Sequence, residues 1–191
     1  MPKTNLELTT FQYTNAQIRR RVDGVSTLFA NRFIELRGLF FDITKGHYEL
    51  VPYSGVRTVR AQAKLWRQSK TTWEINTFID QLITQGCTYI PSIINKVGKQ
   101  YGTTKAASPG LSWHNWGEAI DFYCLTRART ADWNITPYEH VRDVIEEYKL
   151  KINFGPVWDY NHIQHRRTAN PKGTGKTWIQ IDEQLRAREE G

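Results

Sequence analysis

Two potential metal ligands, His114 and Asp121, stand seven residues apart with Gly117 between them. Imidazole nitrogen and carboxylate oxygen both bind zinc, and a catalytic zinc site uses three protein ligands and one open position. Residues 119–125 predict a buried strand, because large apolar side chains recur at every second position from Ile120. Asp121 would lie on the opposite face of this strand, away from the bulkiest apolar side chains. An isolated His and Asp more often have a structural role, with the aspartate capping a turn, so further elements are needed to decide.

The residues around this pair resemble a signature of the zinc D-alanyl-D-alanine carboxypeptidase and L-alanyl-D-glutamate endopeptidase family. The signature is Ser-x-His-x-x-Gly-x-Ala-x-Asp, and it is matched at Ser112, His114, Gly117, Ala119 and Asp121. Members of this family are peptidases of the bacterial cell wall. The resemblance implies one zinc ion per chain with His114 and Asp121 among its ligands, and it places Ser112 among the substrate-binding residues.

A second element of the family, Ser-Gly-x-Arg, is matched by the stretch that ends at Arg57. The resemblance implies that Arg57 holds a carbonyl or carboxylate of the substrate and stabilises the oxyanion, a role that suits the planar guanidinium group. The alternative is a surface arginine after a turn. Gln62 follows on the next helix and is a second substrate-binding candidate, although a single glutamine on a helix is usually solvated.

The third element is the stretch from Gly155 to His162, in which an acidic residue precedes a histidine by three positions. The resemblance implies that His162 is the last zinc ligand and that Asp159 is the general base and acid, with Trp158 beside the substrate. His165 is the rival ligand. Glu118 is the next candidate for the base, although a solvated loop carboxylate is its more ordinary role.

The acidic residue in this third element also bears on which bond is cut. Within the family, carboxypeptidases tend to carry Glu at this position and the L-alanyl-D-glutamate endopeptidases tend to carry Asp. Asp159 therefore favours the endopeptidase activity. A D-alanyl-D-alanine or L,D-carboxypeptidase is the alternative.

Length and composition set the limits of the fold. At 191 residues, with 39% hydrophobic residues, the chain is long enough for one well-filled core, and we expect one domain over residues 1–191. The family resemblance covers about residues 15–164, residues 166–191 form a basic loop and a short helix, and no separate wall-binding domain is expected. We also expect the protein to be a monomer. We do not expect it to insert into a membrane, because no apolar run approaches the roughly 20 residues that span a bilayer.

The first residues of the chain lack the apolar segment of a secretory signal, so we expect the protein to accumulate in the cytoplasm in which it is made. Bacteriophage endolysins accumulate in this way and are then released to the wall, and the resemblance implies such a lytic role. The net charge of +7 and the pI near 9.5 predict a polyanionic partner, which charge alone cannot identify. The partners we expect are peptidoglycan and the anionic cell envelope, and we do not expect the protein to bind nucleic acid. Cys87 and Cys124 are expected to be reduced core thiols.

Apolar spacing and capping residues predict the secondary structure. One helix is expected to be capped by Asn15 and to end at Gly38, followed by strands from Leu39 to Ile43 and from His47 to Tyr53. Later helices are expected to begin near Thr58, Thr72, Thr136 and Trp178, with Thr136 as a cap. Ile83 on the helix from Thr72 is expected to face inward, and His140 on the helix from Thr136 is expected to lie at the surface.

The fold class we expect is α+β, with a small antiparallel sheet and helices packed on one side, similar to D-Ala-D-Ala carboxypeptidases and hedgehog-like domains. The function we expect is zinc-dependent hydrolysis of peptidoglycan stem peptides. Two alternatives from other classes remain, a non-catalytic zinc-stabilised wall-binding module and a basic nucleic-acid-binding protein.

Overall fold

The computed structural model describes residues 10–155 and 159–191. In this part of the chain the fold is α+β, as predicted, with a small antiparallel sheet and seven α-helices. The helices are α1 (Asn15–Arg21), α2 (Thr27–Ile43), α3 (Val59–Arg67), α4 (Thr72–Thr84), α5 (Tyr89–Val97), α6 (Ile135–Glu147) and α7 (Trp178–Glu190). None of the described helices has the length and apolar content that a bilayer crossing requires.

Among the described residues, five short strands form the sheet. The strands are β1 (Tyr48–Ser54), β2 (Ala119–Thr126), β3 (Ala131–Asp132), β4 (Asn153–Phe154) and β5 (His162–Gln164). Their order is β1-β2-β5-β4, and β3 pairs with β2. β1 and β2 are antiparallel, and a shift in their register between Pro52 and Ser54 leaves Ser54 opposite Asp121.

The described residues group into two compact units, one within residues 10–54, 120–155 and 159–165 and one of residues 55–119 and 166–191. In the first unit, one face of the sheet is covered by apolar side chains of α1, α2 and α6. The sheet contributes Ile120, Phe122 and Cys124 to this core, and none of the three is exposed to solvent. Asp121 and Tyr123 lie on the other face of β2 and are half-buried, which confirms the alternation that was predicted for this strand.

The prediction of one helix from Asn15 to Gly38 is wrong in three respects. The chain forms two helices, because it turns between them at Gly24, which has a positive φ of 76°. Thr14, rather than Asn15, caps α1. Gly38 lies inside α2, and the helix ends where Lys45 and Gly46 adopt positive φ.

The strand predicted from Leu39 to Ile43 is also wrong, because these residues complete α2. Phe33, Leu36 and Phe40 are fully buried at helical spacing, so the core continues along one face of the helix past Gly38. The predicted start of the next strand at His47 agrees with β1 to within one residue.

The second unit consists of α3, α4, α5 and α7 around their own apolar core. Thr58 and Thr71 cap α3 and α4 through their side chains, close to the starts that were predicted. The buried carboxylate of Asp182 on α7 accepts hydrogen bonds from the backbone amides of Thr88, Tyr89 and Ile90, at 2.9, 3.0 and 2.6 Å. These three bonds satisfy amides at the start of α5 that have no partner within the helix.

Two further details differ from the predictions. α6 begins at Ile135 after Asn134, and Thr136 lies inside the helix instead of capping it. Ile83 on α4 was expected to face inward but is 55% exposed. Both Cys87 and Cys124 are buried free thiols, as expected, and burial raises their pKa, that of Cys87 to about 11.

Candidate metal centre and active site

His114 lies in a 3-10 turn formed by residues 113–116, and it is only 2% exposed. Its Nδ1 atom lies 2.6 Å from the carbonyl oxygen of Gly55, which can only accept a hydrogen bond. Nδ1 therefore carries the proton in the neutral ring, and Nε2 is the nitrogen that can hold a metal. Gly117 ends the turn with a φ of 67°, which a residue with a side chain rarely adopts, so this position of the sequence pattern has a backbone role.

Asp121 and His162 lie on the neighbouring strands β2 and β5. The amide of Phe122 donates to the carbonyl of Asn161 at 3.0 Å, which aligns the two ligand candidates. The Nδ1 atom of His162 lies 2.9 Å from an Asp121 carboxylate oxygen. Burial lowers the pKa of His162, but the hydrogen bond to Asp121 and the charges of Asp121 and Asp159 outweigh burial, so the net pKa is raised. The surroundings of His162 therefore favour positive charge at this ring.

Within the described residues, His114, Asp121 and His162 form a possible metal site. Each offers one ligand atom, and these atoms lie within 4.8 Å of one another. Ligand atoms around a tetrahedral zinc are on the order of 3.3 Å apart, which is compatible with three ligand atoms that lie within 4.8 Å of one another. Two imidazoles and one carboxylate are a known ligand set of catalytic zinc, so the residues fit the ion that the sequence predicts.

Arg57 is held in place by buried polar side chains. Its Nη1 atom donates to Gln62 Oε1 at 2.9 Å, and Gln62 Nε2 donates to the carbonyl of Ala107 at 2.7 Å. Gln62 is 1% exposed, so the ordinary expectation of a solvated glutamine is wrong. The arginine backbone is also fixed, because its amide donates to the carbonyl of His114 and its carbonyl accepts from Asn115.

Asn115 is a positioning residue that the sequence interpretation missed. It is 1% exposed, its Oδ1 accepts from the amide of Gly110 at 3.0 Å, and its Nδ2 donates to the carbonyl of Arg57 at 2.7 Å. It thereby ties the loop that carries His114 to the segment that carries Arg57. Asn115 occupies a position of the sequence pattern at which any residue is allowed, so the pattern carries no signal for its role. Ser112 lies just before this turn and is also buried.

Asp159, the candidate base, is half-buried and lies three residues before His162, whose amide donates to the Asp159 carbonyl at 3.2 Å. Trp158 was predicted to lie beside the substrate, but it falls outside the described residues. Glu118, the alternative base, is not the solvated carboxylate that was expected. It forms a two-point ion pair with Arg166, in which the Nη2 to Oε1 distance is 2.8 Å.

The other histidines lie elsewhere. The ring of His165 stacks on Phe29 with 5.8 Å between ring centroids, and it is not part of the metal group found among the described residues. His140 is exposed on α6, as expected from the sequence. Of the two candidates in the third element, His162 is therefore the one that joins His114 and Asp121.

Gly155 approaches the His162 ring closely, and its amide donates to the His162 carbonyl. A Cβ atom at this position would lie 3.0 Å from His162 Cδ2 and 3.3 Å from the Asp159 carbonyl oxygen. We predict that Gly155→Ala displaces the His162 ring and weakens zinc binding by about tenfold. This is the size of effect expected when the orientation of a metal ligand is disturbed by a change outside the ligand itself. Gly38→Ala is the matched control, because a Cβ atom there meets nothing within 4 Å. Competition with a chromogenic chelator measures both affinities, and equal affinities would contradict the prediction.

Comparison with known families agrees with this geometry. A model of the D-alanyl-D-alanine carboxypeptidase family (VanY) matches residues 28–166, which is well over half of the chain. The chain therefore belongs to this family, and its membership supports function as a peptidase that acts on peptidoglycan. A search of curated proteins found no match.

Proposed function

We propose that the protein is a zinc-dependent endopeptidase that cuts the L-alanyl-D-glutamate bond of peptidoglycan stem peptides, as phage endolysins of this type do. The observation that carries the proposal is the group of His114, Asp121 and His162, whose ligand atoms lie within 4.8 Å of one another in a chain of a peptidase family. In this proposal these three residues hold the zinc, Asp159 is the base, and Arg57 binds the substrate.

Zinc, when bound, lowers the pKa of water to about 7 and polarises the carbonyl under attack. The Asp159 carboxylate accepts a proton from the attacking water and then donates it to the leaving nitrogen. As oxygen bonds to the carbonyl carbon, the C–N bond breaks and leaves a carboxylate on one product and an amine on the other. The Arg57 guanidinium donates hydrogen bonds to the oxygen on which negative charge develops.

Gln62 and Asn115 act through Arg57 in this scheme. The buried Gln62 amide fixes the guanidinium from one side, and Asn115 fixes the backbone of the same residue. A preorganised donor costs no rearrangement when the charge develops, which is the source of its effect on rate. We therefore assign Gln62 to the positioning of Arg57 rather than to direct contact with substrate.

Asp159 supports the endopeptidase proposal over two alternatives. The family tendency towards Asp in endopeptidases favours the L-alanyl-D-glutamate bond. A purely structural zinc site has no use for a carboxylate beside three ligands, which argues against a non-catalytic wall-binding module. The second candidate function is D-alanyl-D-alanine carboxypeptidase, because the matching family carries that description.

Mass spectrometry of digested peptidoglycan distinguishes the two bonds. An endopeptidase creates a new N-terminal D-glutamate and leaves L-alanine on the glycan strand. A carboxypeptidase releases free D-alanine and leaves the rest of the stem peptide attached. We expect the first set of products, and exclusive release of D-alanine would replace the proposal by the second candidate.

A further inference from the structure

Three aromatic rings form a cluster on the face of the sheet opposite the apolar core of the first unit. The ring centroids of Tyr53 and Tyr123 are 6.4 Å apart, those of Tyr53 and Trp133 are 6.1 Å apart, and those of Tyr123 and Trp133 are 6.0 Å apart. Tyr53 is 49% exposed and Trp133 is 51% exposed, so the cluster presents ring surface to solvent. We call Tyr53, Tyr123 and Trp133 the aromatic triad.

The triad lies beside two of the proposed zinc ligands. Tyr123 is two residues after Asp121 on β2, so both side chains project from the same face, about 7 Å apart along the strand. The two residues before His162 also hold the triad. Asn161 Nδ2 donates to the Tyr53 hydroxyl at 2.6 Å, and the Tyr160 hydroxyl donates to the Trp133 carbonyl at 3.3 Å.

A pocket of about 430 Å³ continues along the same face of β2, beyond Tyr123. This volume lies in the range of small-molecule sites, roughly 300–1,000 Å³. The lining combines aromatic surface with polar and charged groups, and the lining residues are Gln12, Tyr13, Tyr123, Leu125, Arg129 and Ala131. Asp121, the triad and the pocket therefore lie along one continuous side of the sheet.

We propose that the triad and this pocket form a saccharide subsite that binds the amino sugar to which the stem peptide is attached, an inference that rests on the proposed function. Aromatic rings with polar edges are suited to ligands that present an apolar face and polar substituents, and a pyranose ring has this character. Its C–H face would stack on the exposed rings. Its hydroxyl and acetamide groups would meet polar side chains such as Gln12 and Arg129 in the pocket.

The distance from Asp121 to the triad also bears on which bond is cut. The L-alanyl-D-glutamate bond is separated from the sugar by one amino acid and the lactyl ether, which span on the order of 7 Å when extended. The terminal D-alanyl-D-alanine bond lies three amino acids further away, which adds roughly 10 Å. A sugar on the triad therefore suits cleavage of the first bond and lies too close for cleavage of the second.

The test compares a disaccharide-linked stem peptide with the same peptide lacking sugar. We expect Trp133→Ala to lower the ratio of kcat/KM on the sugar-linked substrate to that on the free peptide by about tenfold, and Trp133→Phe to restore part of it. Trp73→Ala removes a ring that is 74% exposed on α4 and should leave the ratio unchanged. If Trp133→Ala left the ratio of the two kcat/KM values unchanged, the subsite would be overturned. This holds also if kcat/KM fell equally on both substrates.

A binding measurement separates failure of the subsite from failure of the proposed function. Peptide-free oligomers of N-acetylglucosamine are titrated into the full chain, and the Trp133 indole N–H resonance is followed by NMR, assigned by its loss in Trp133→Phe. A saturable shift supports the subsite even if the protein hydrolyses neither substrate. Absence of hydrolysis would refute only the proposed peptidase activity. Absence of a shift at millimolar oligomer overturns the subsite and leaves the peptidase standing.

Discussion

Replacing Asp159 by asparagine is expected to reduce peptide hydrolysis by about a hundredfold or more while zinc remains bound. The amide keeps the size of the side chain but cannot accept the proton of the attacking water. Because Asp159 is not one of the three proposed ligands, the metal content should stay at that of the wild type. Single-turnover rates on a defined stem peptide, together with elemental analysis of the same samples, measure the two effects separately.

Asp143→Asn provides the control for this experiment, because Asp143 is an exposed aspartate on α6 in the same compact unit. Its hydrolysis rate should match that of the wild type. If Asp159→Asn also retained the wild-type rate, the base would have to be another group, with Glu118 the next candidate. Glu118 is already paired with Arg166, so Glu118→Gln is expected to affect the rate less than Asp159→Asn.

Removal of a proposed ligand should have the largest effect of all. His114→Ala and His162→Ala each leave two ligands of three, and two ligands hold a zinc ion much less tightly. We expect both variants to lose most of their zinc and nearly all hydrolysis. His140→Ala removes an exposed histidine of α6 and should change neither. Circular dichroism of each variant shows whether the fold persists, which matters most for the buried His114.

Much of the fold could be predicted because local patterns and tertiary burial agree. The alternation along residues 119–125 predicts the strand that carries Asp121, and the predicted cap at Thr58 and the predicted start at Thr72 agree with two of the helices. The prediction failed at residues 39–43, where a run of large apolar residues fits either a strand or a buried helix. Burial of Phe33, Leu36 and Phe40 on one helical face decided the outcome, and burial is a property of the packed chain.

The candidate site shows a similar division. His114, Asp121 and His162 stood at positions of a known pattern, and the structure brings their ligand atoms together. The residues that position the site could not be predicted in the same way. Asn115 and Gln62 acquire their roles from hydrogen bonds to backbone groups far away in the sequence, and Gly155 from the closeness of the His162 ring. These contacts leave no spacing pattern in the sequence.

The most direct test of the central claim is a zinc titration of the chelator-treated protein against a defined stem peptide. We predict that hydrolysis is lost with the metal, returns in proportion to added zinc, and reaches a plateau at one equivalent per chain. His114→Ala and His162→Ala should not recover at that stoichiometry, whereas His140→Ala should. Full hydrolysis by the protein stripped of zinc, or a full equivalent of zinc retained by both ligand variants, would contradict the account.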